Sequence, residues 1–241
     1  MSPTDRRTTG ALLLMFAVLN LAAVVLLAGA FGWPAVLGES AAVALPAFAA
    51  AAPAVVSGFL LFTLLSVALV PISLGLHRII GGGGLWLSTV TAFGVLSGLT
   101  QTLGWIRWPL VVPGLAATYL DPATGPELRT ATASSYELLN SYAGAALGEY
   151  LGWLFQALWA VGIAVLLLRS AAIGRTTASV GCALTAVWAL SFLAGPFAPV
   201  LGDGLVGTAA FTAYGVWFLW LGAVGVRLVR PSTRVLVGGV A

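Results

Sequence analysis

The polar residues best suited to chemistry in this chain form two stripes with the same spacing, i, i+4 and i+7. The first stripe is Gln101, Trp105 and Trp108, and the second is Glu149, Trp153 and Gln156. Residues at this spacing lie on one face of a helix. Each stripe therefore predicts a helix face on which amide or carboxylate groups lie beside tryptophan rings.

Arg107 and Glu149 are the charged members of this neighbourhood. A guanidinium binds a carboxylate well through two parallel hydrogen bonds, so we expect these two residues to pair. One interpretation is an aromatic-walled pocket for a small ligand or a lipid headgroup, lined by Gln101, Trp105, Arg107, Trp108, Glu149, Tyr150, Trp153 and Gln156. The alternative is a structural ion pair beside an ordinary belt of interfacial tryptophans, which is the commoner role of such residues.

Glycine spacing supports contact between the two stripes. Gly144, Gly148 and Gly152 recur at every fourth position, and Gly94 and Gly98 repeat that step once. Small residues at this spacing let a second helix approach closely. We expect the glycines to bring the two stripes together, as the ion pair requires.

The other reactive residue types are too few for most catalytic or metal sites. Cys182 and His77 are the only cysteine and histidine, so neither a metal centre nor a histidine-activated nucleophile is expected. The glycine run at 81–84 lacks the lysine of a phosphate-binding loop. We predict no metal and no cofactor. His77 and Arg78 are interpreted as interfacial anchors, and Asn20 is expected to bond to a neighbouring helix.

Composition places the stripes in a membrane protein. Hydrophobic residues make up 60% of the 241-residue chain and charged residues only 7%, against roughly 25% charged in a soluble domain. The mean hydropathy is +1.06, and apolar runs recur at about 20 residues, the length that crosses a bilayer as a helix. The alternation typical of barrel strands is missing from the sequence. We therefore predict a single-domain, all-α polytopic transmembrane bundle.

Six apolar runs predict the spans, at about residues 10–31, 53–76, 85–106, 147–168, 176–193 and 205–228. The first could be a signal peptide, but it is longer than a signal core, which favours an uncleaved span. Residues 107–146 predict an outer interfacial helix that begins near Pro126 and leads into the fourth span. Residues 32–52, rich in alanine and proline, predict an irregular or re-entrant segment, or else a flexible connection.

The distribution of arginine predicts the orientation. With the N-terminus inside, the arginines on the cytoplasmic side are Arg6, Arg7, Arg78, Arg169, Arg175, Arg227, Arg230 and Arg234, and only Arg107 and Arg129 fall outside. Because basic residues favour cytoplasmic loops, both termini are predicted in the cytoplasm. No basic cluster is dense enough to indicate nucleic-acid binding. Abundant glycine and alanine with no lysine indicate a bacterial source, and hence the plasma membrane.

Two stretches resemble a known family. QTLGWIRWPLVVPGLAATY (residues 101–119) and GEYLGWLFQALWA (residues 148–160) are similar to segments of an uncharacterised bacterial membrane family, common in actinobacteria and catalogued as a domain of unknown function. The resemblance implies six or seven membrane helices and no particular activity. It directs attention to Arg107, Trp108, Glu149 and Gly152. Tyr150 stands where relatives often carry histidine, which weakens any proton-transfer role at that position.

These observations do not reveal a specific activity, and they leave three hypotheses open. The leading hypothesis is a non-enzymatic membrane protein that binds a lipid or an apolar small molecule in an outer-leaflet pocket between spans three and four. The second is a small transporter or a transporter subunit. The third is an intramembrane enzyme that uses Glu149 as an acid or base. Membrane lipids are the expected partners, and the oligomeric state is not indicated.

Overall fold

The computed structural model of the protein describes residues 2–170, 172–194 and 203–230. Throughout these ranges the regular structure is helical, which confirms the all-α prediction. In chain order the elements are α1 (Pro3–Phe31), a 3₁₀ helix (Ala35–Gly38), α2 (Ala41–Ala50), α3 (Ala52–Ile80), α4 (Leu85–Trp105), α5 (Arg107–Leu110), α6 (Val112–Leu120), α7 (Pro126–Leu139), a π-helix (Asn140–Leu151), α8 (Gly152–Arg169), α9 (Arg175–Ala194) and α10 (Asp203–Val229).

Capping residues set the ends of the long helices. The Ser2 hydroxyl accepts a hydrogen bond from the Asp5 N–H at 3.0 Å and begins α1. α1 ends at Gly32 and α3 at Gly81, whose φ angles of 69° and 72° favour glycine. Both helices have 29 residues. At about 1.5 Å per residue, each is longer than the roughly 30 Å hydrocarbon layer of a bilayer.

Each predicted span falls on a helix, namely α1, α3, α4, α8, α9 and α10. Within the described ranges, five helical stretches are long and apolar enough to cross a membrane: Pro3–Phe31, Ala52–Ile80, Pro126–Arg169, Arg175–Leu193 and Thr212–Val229. α4 is not among them. It has 21 residues and carries Thr100, Gln101 and Thr102 near its C-terminal end. The helices are those of a multi-pass membrane protein, while the count of six spans stays a prediction.

The connection at residues 32–52 is helical, not irregular. It contains the 3₁₀ helix and α2, which packs against α6 and α7. α2 includes a proline, Pro46, but it also has one buried face of apolar residues at helical spacing: Ala41, Ala44, Leu45 and Phe48. Burial of this face stabilises the helix and explains why the proline pattern alone was misleading.

The outer segment 107–146 has the predicted break, and its predicted helix leads directly into α8. α4 ends at Trp105, and Pro109 and Pro113 lie in the short helices α5 and α6. α7 begins at Pro126, as predicted, and runs without interruption through the π-helix into α8, as one helical stretch of 44 residues. The span expected to begin at residue 147 is therefore the second half of a much longer helix.

Two apolar cores hold the helices together. The bundle core joins α1, α3, α8, α9 and α10 around large side chains that include Phe16, Leu69, Trp159, Trp188 and Trp217. The cap core joins the end of α1 and the start of α3 to α2, α5, α6 and α7 around Trp33, Phe48, Phe59, Trp108 and Tyr136. α4 packs against α3 on one side and against the π-helix and α8 on the other, and it contributes to both cores.

The predicted glycine strip does bring α4 to the π-helix and α8. A Cβ on Gly104 would lie 2.5 Å from the Cα of Gly148, so the two backbones are in direct contact. A Cβ on Gly152 would lie 2.6 Å from the Gln101 side chain. Gly144 lies against the guanidinium of Arg107. The close approach that the spacing predicts is therefore present at all three glycines.

Candidate functional site

The cap core encloses a charged cluster around Arg107, whose side chain is only 2% exposed. The guanidinium Nη1 donates to the Gly104 carbonyl. Nη2 donates to Asn140 Oδ1 at 2.9 Å and lies 4.0 Å from Glu149 Oε1. The two charged residues thus meet, but the short hydrogen bonds go to a carbonyl and an amide, and the contact with Glu149 is a single long one.

The π-helix makes room for this guanidinium. It spans Asn140–Leu151, twelve residues, and carries Asn140, Gly144 and Glu149. Any side chain at Gly144 would collide with the Nη2 and Cζ atoms of Arg107. π-helical turns are rare and occur frequently at functional sites. Here the wide turns place the Asn140 amide, the Gly144 backbone and the Glu149 carboxylate around the guanidinium of Arg107.

Further contacts fix the charged cluster in place. Asn140 Nδ2 donates to the Leu37 carbonyl at 2.7 Å, which ties the π-helix to the 3₁₀ helix. The Arg107 Cζ atom lies 5.4 Å from the centroid of the Trp108 ring. Burial lowers the pKa of the Arg107 guanidinium to about 10, against the opposing effect of the nearby Glu149 carboxylate. The group keeps its positive charge at neutral pH.

A second, uncharged network links α4, α8 and α10. Ser97 Oγ donates to the Gly152 carbonyl at 2.9 Å, and Gln101 Nε2 donates to Ser97 Oγ at 2.7 Å. Gln101 Nε2 also donates to Gln156 Oε1 at 3.2 Å, and the Tyr214 hydroxyl donates to the same oxygen at 3.3 Å. We call these residues the amide network.

The direction of these bonds follows from the donors available. A carbonyl oxygen accepts only, so the single hydroxyl hydrogen of Ser97 is committed to Gly152. The Gln101 atom next to Ser97 must then be the NH₂ group, and its second hydrogen reaches the Gln156 oxygen. Gln156 is fully buried, and its own NH₂ group has no partner among the described residues. The network is therefore a donor-rich site inside the bundle.

A small cavity lies beside the amide network. Its volume is about 20 Å³, and its lining residues come from α1, α3, α4, α8, α10 and the loop after α1: Phe16, Asn20, Val24, Trp33, Phe62, Ser66, Gln101, Trp105, Trp153, Tyr214 and Phe218. We call it the aromatic cavity. A space of this size holds about one water molecule. Its wall combines six aromatic rings other than tyrosine with four hydrogen-bonding side chains.

The predicted site residues divide between the two places. Gln101, Trp105 and Trp153 line the aromatic cavity, and Gln156 bonds to two other members of the amide network. The remaining four lie elsewhere. Arg107, Trp108 and Glu149 belong to the charged cluster, while Tyr150 is 51% exposed, with its ring 5.7 Å from that of Phe192.

The first stripe is split because its helix does not continue. α4 ends at Trp105, and Trp108 belongs to the short helix α5. Trp108 is fully buried in the cap core, with its ring 4.8 Å from that of Phe59. It is therefore a packing residue of that core and not a wall of the cavity.

A family model decides the relationship of this chain to known proteins. The model described as Domain of unknown function (DUF4386) matches residues 8–225. The chain belongs to this family. No curated protein and no solved structure matches the chain. The DUF4386 match runs from α1 into α10, and it includes every residue of the charged cluster and of the aromatic cavity.

Sequence reasoning missed eight of the eleven residues that line the cavity in this DUF4386 protein. Asn20, Ser66 and Tyr214 are polar residues in apolar runs and were the available signal, because such groups are costly in a membrane. The expectation for Asn20 is wrong. Its side chain lines the cavity, and its amide donates to the Phe16 carbonyl of its own helix at 2.8 Å, not to a neighbouring helix.

Proposed function

We propose that this membrane protein binds a lipid or an apolar small molecule in the aromatic cavity, at the place where α4 and α8 meet. One observation carries the proposal. Four polar side chains from four different helices, Asn20, Ser66, Gln101 and Tyr214, converge on one cavity that is otherwise walled by aromatic rings. A few placed polar groups in an apolar, aromatic pocket are typical of small-molecule sites.

The partners of two of these groups support a binding role. Asn20 and Ser66 each donate at 2.8 Å to a carbonyl of their own helix, so neither side chain ties one helix to another. The bound molecule is expected to have an apolar body, which matches the rings, and at least one hydrogen-bonding atom, which matches the amides and the hydroxyls.

The size of the cavity defines how binding would occur. At about 20 Å³ it accommodates no more than about one water in this conformation. Most of the wall is buried, but Val24, Trp153 and Tyr214 are only partly so. These three residues mark the side on which the wall would open. A ligand that binds the opened form better shifts the population toward it.

The two other hypotheses gain no specific observation. Glu149 contacts Arg107 and does not line the aromatic cavity, so that cavity gives no support to an acid–base role for it. A transport route would have to continue past the aromatic cavity through the bundle core, where Trp159 and Trp217 are fully buried. Ligand binding is therefore the function that the geometry favours.

Neighbouring valines in α1 allow a matched test. Val24 lines the cavity, whereas Val25 is 73% exposed. The protein in lipid nanodiscs is titrated with 1-aminoanthracene, an apolar probe with one amine, and energy transfer from tryptophan reports binding. Val24→Phe fills the cavity and is expected to weaken binding about tenfold, the effect of losing roughly 1.4 kcal/mol. Val25→Phe should bind like wild type.

Two results would count against the proposal. One is equal binding by both valine variants, which would place the probe in the lipid or on the protein surface. The other is no saturable binding to the wild-type protein. Circular dichroism of both variants controls for folding, because overpacking at Val24 is expected to cost about 1–3 kcal/mol of stability.

A further inference from the structure

A groove at the opposite end of α4 from the charged cluster has a chemistry of its own. It lies between the end of α3 and the start of α4 and measures about 370 Å³. Its lining residues are Leu74, His77, Arg78, Ser88, Thr91 and Ala92. None of them lines the aromatic cavity. We call this the Arg78 groove.

The walls of the Arg78 groove are held together by a hydrogen bond between its two helices. His77 Nδ1 lies 2.8 Å from Thr91 Oγ1, and that hydroxyl donates to the Leu87 carbonyl at 2.8 Å. Because the hydroxyl has one hydrogen, His77 Nδ1 must be the donor in the first bond. The ring therefore ties α3 to α4, and the groove is a fixed feature of the fold.

The charge of the groove is unopposed. Arg78 is exposed and forms no hydrogen bond or ion pair with any residue in the described ranges. No acidic residue lines the groove. Asp5 lines a neighbouring groove of about 270 Å³ that shares only Leu74 and Arg78 with this one. An unpaired cation beside a hydroxyl, that of Ser88, matches an anion.

The surroundings of the groove resemble a membrane interface. Leu74 is 50% exposed one turn before Arg78, and Leu85 and Trp86 at the start of α4 are 84% and 53% exposed. Exposed aliphatic groups and a tryptophan next to an arginine are typical of the level at which lipid headgroups lie. An anion bound here would have apolar groups beside it, which favours a lipid over a free ion.

We propose that the Arg78 groove binds the headgroup of an anionic phospholipid. The guanidinium of Arg78 binds two phosphate oxygens, the Ser88 hydroxyl donates to the same phosphate, and the first acyl carbons lie along Leu74. The site shares no lining residue with the aromatic cavity, so this proposal does not depend on the function proposed above. It predicts a lipid bound for structural or regulatory purposes at the end of the bundle that includes the N-terminus.

Native mass spectrometry of the full chain in detergent micelles tests this site. The protein is mixed with phosphatidylglycerol or with phosphatidylcholine of the same acyl chains, and retained lipid is counted. Wild type is expected to retain phosphatidylglycerol preferentially. Arg78→Gln should weaken that retention about tenfold, as expected for loss of a charged hydrogen-bond donor. Arg7→Gln is the matched control, since Arg7 is also exposed and lines neither groove.

Each other result would overturn the assignment. Equal losses of phosphatidylglycerol in the two arginine variants would indicate general attraction to positive charge. Equal retention of the two lipids by wild type would show that the groove does not select an anionic headgroup. Full displacement of the lipid by excess inorganic phosphate would identify a free-phosphate site instead. Ser88→Ala provides a second variant with an unchanged net charge, and a loss of retention about threefold is expected from its single neutral hydrogen bond.

Discussion

The charged cluster and the amide network both adjoin α4, but their buried polar groups are hydrogen-bonded in different ways. Arg107 is almost completely enclosed and is matched by a carbonyl, an amide and a more distant carboxylate. The amide network is uncharged, keeps an unpartnered NH₂ group on Gln156 and adjoins a cavity. In the first arrangement the two terminal guanidinium nitrogens have partners within the chain and only Nε has none among the described residues, while the second shares Gln101 and Tyr214 with a cavity wall.

The difference follows from the cost of burying a charge. An isolated ion in an apolar interior is far more costly than an isolated amide, so the fold must satisfy Arg107 from within the chain. The π-helix and Gly144 serve that purpose, because Asn140 accepts from the guanidinium and Gly144 lies directly against it. A neutral amide tolerates incomplete bonding. The residues with the strongest charge are therefore the structural ones, and the weaker ones are the candidates for binding.

Replacing Arg107 should produce the largest effect and should separate the two regions. Arg107→Met leaves Glu149 without its cation and is expected to cost about 3–5 kcal/mol, as for other broken buried pairs. Arg7→Met, at an exposed arginine, should cost less than about 0.5 kcal/mol. Equilibrium unfolding in sodium dodecyl sulfate measures both. Binding of 1-aminoanthracene per folded molecule should be unchanged, and a selective loss of binding would merge the two regions into one site.

Gly144 tests whether the π-helix exists to accommodate the guanidinium. A methyl group there displaces Nη2 from Asn140, so Gly144→Ala is expected to lower the free energy of unfolding by about 1–3 kcal/mol. Gly114 in α6 has open space around it, so Gly114→Ala should be neutral or stabilising. The same unfolding assay compares them. If Gly144→Ala lowers the unfolding free energy in the wild-type chain but not in the Arg107→Met background, the collision with the guanidinium is the cause.

The sequence predicted the parts of this molecule that depend on local pattern. The helix positions follow from apolar length, and the contact of α4 with the next long helix follows from the spacing of Gly144, Gly148 and Gly152. The meeting of Arg107 with Glu149 follows from that contact. Each of these needs only two segments, which is why spacing along the chain was sufficient.

The parts that depend on three or more helices were not predictable in the same way. The aromatic cavity needs α1 and α10 beside α4, and no periodicity in one segment indicates which face of another it meets. The π-helix also gave no signal, because the i, i+4, i+7 rule assumes a regular α-helix through Glu149. The same rule does not extend to Trp108, because α4 ends at Trp105 and Trp108 lies on α5.

Gln101 tests the other side of the comparison. Gln101→Leu keeps the side-chain volume roughly constant but removes the donor to Ser97 and Gln156. Because these hydrogen bonds are lost, the free energy of unfolding is expected to fall by about 1–2 kcal/mol. The variant should bind 1-aminoanthracene several-fold more weakly, while binding of anthracene, which has no amine, should be unaffected. Equal losses for the two probes would show that the amide contributes shape and not hydrogen bonding.

The smallest effect is expected at Tyr214, where the hydroxyl makes one long hydrogen bond of 3.3 Å to Gln156 Oε1. That oxygen also accepts from Gln101, so Tyr214→Phe leaves no orphaned group and should cost only about 0.5–1 kcal/mol. Tyr150→Phe is the control, because that side chain is half exposed and should give no measurable change. The informative readout is the difference between the two probes. If Tyr214→Phe weakens 1-aminoanthracene but not anthracene, the hydroxyl contacts the ligand directly; if it weakens neither, Tyr214 orients Gln156 and the binding chemistry lies with Gln101.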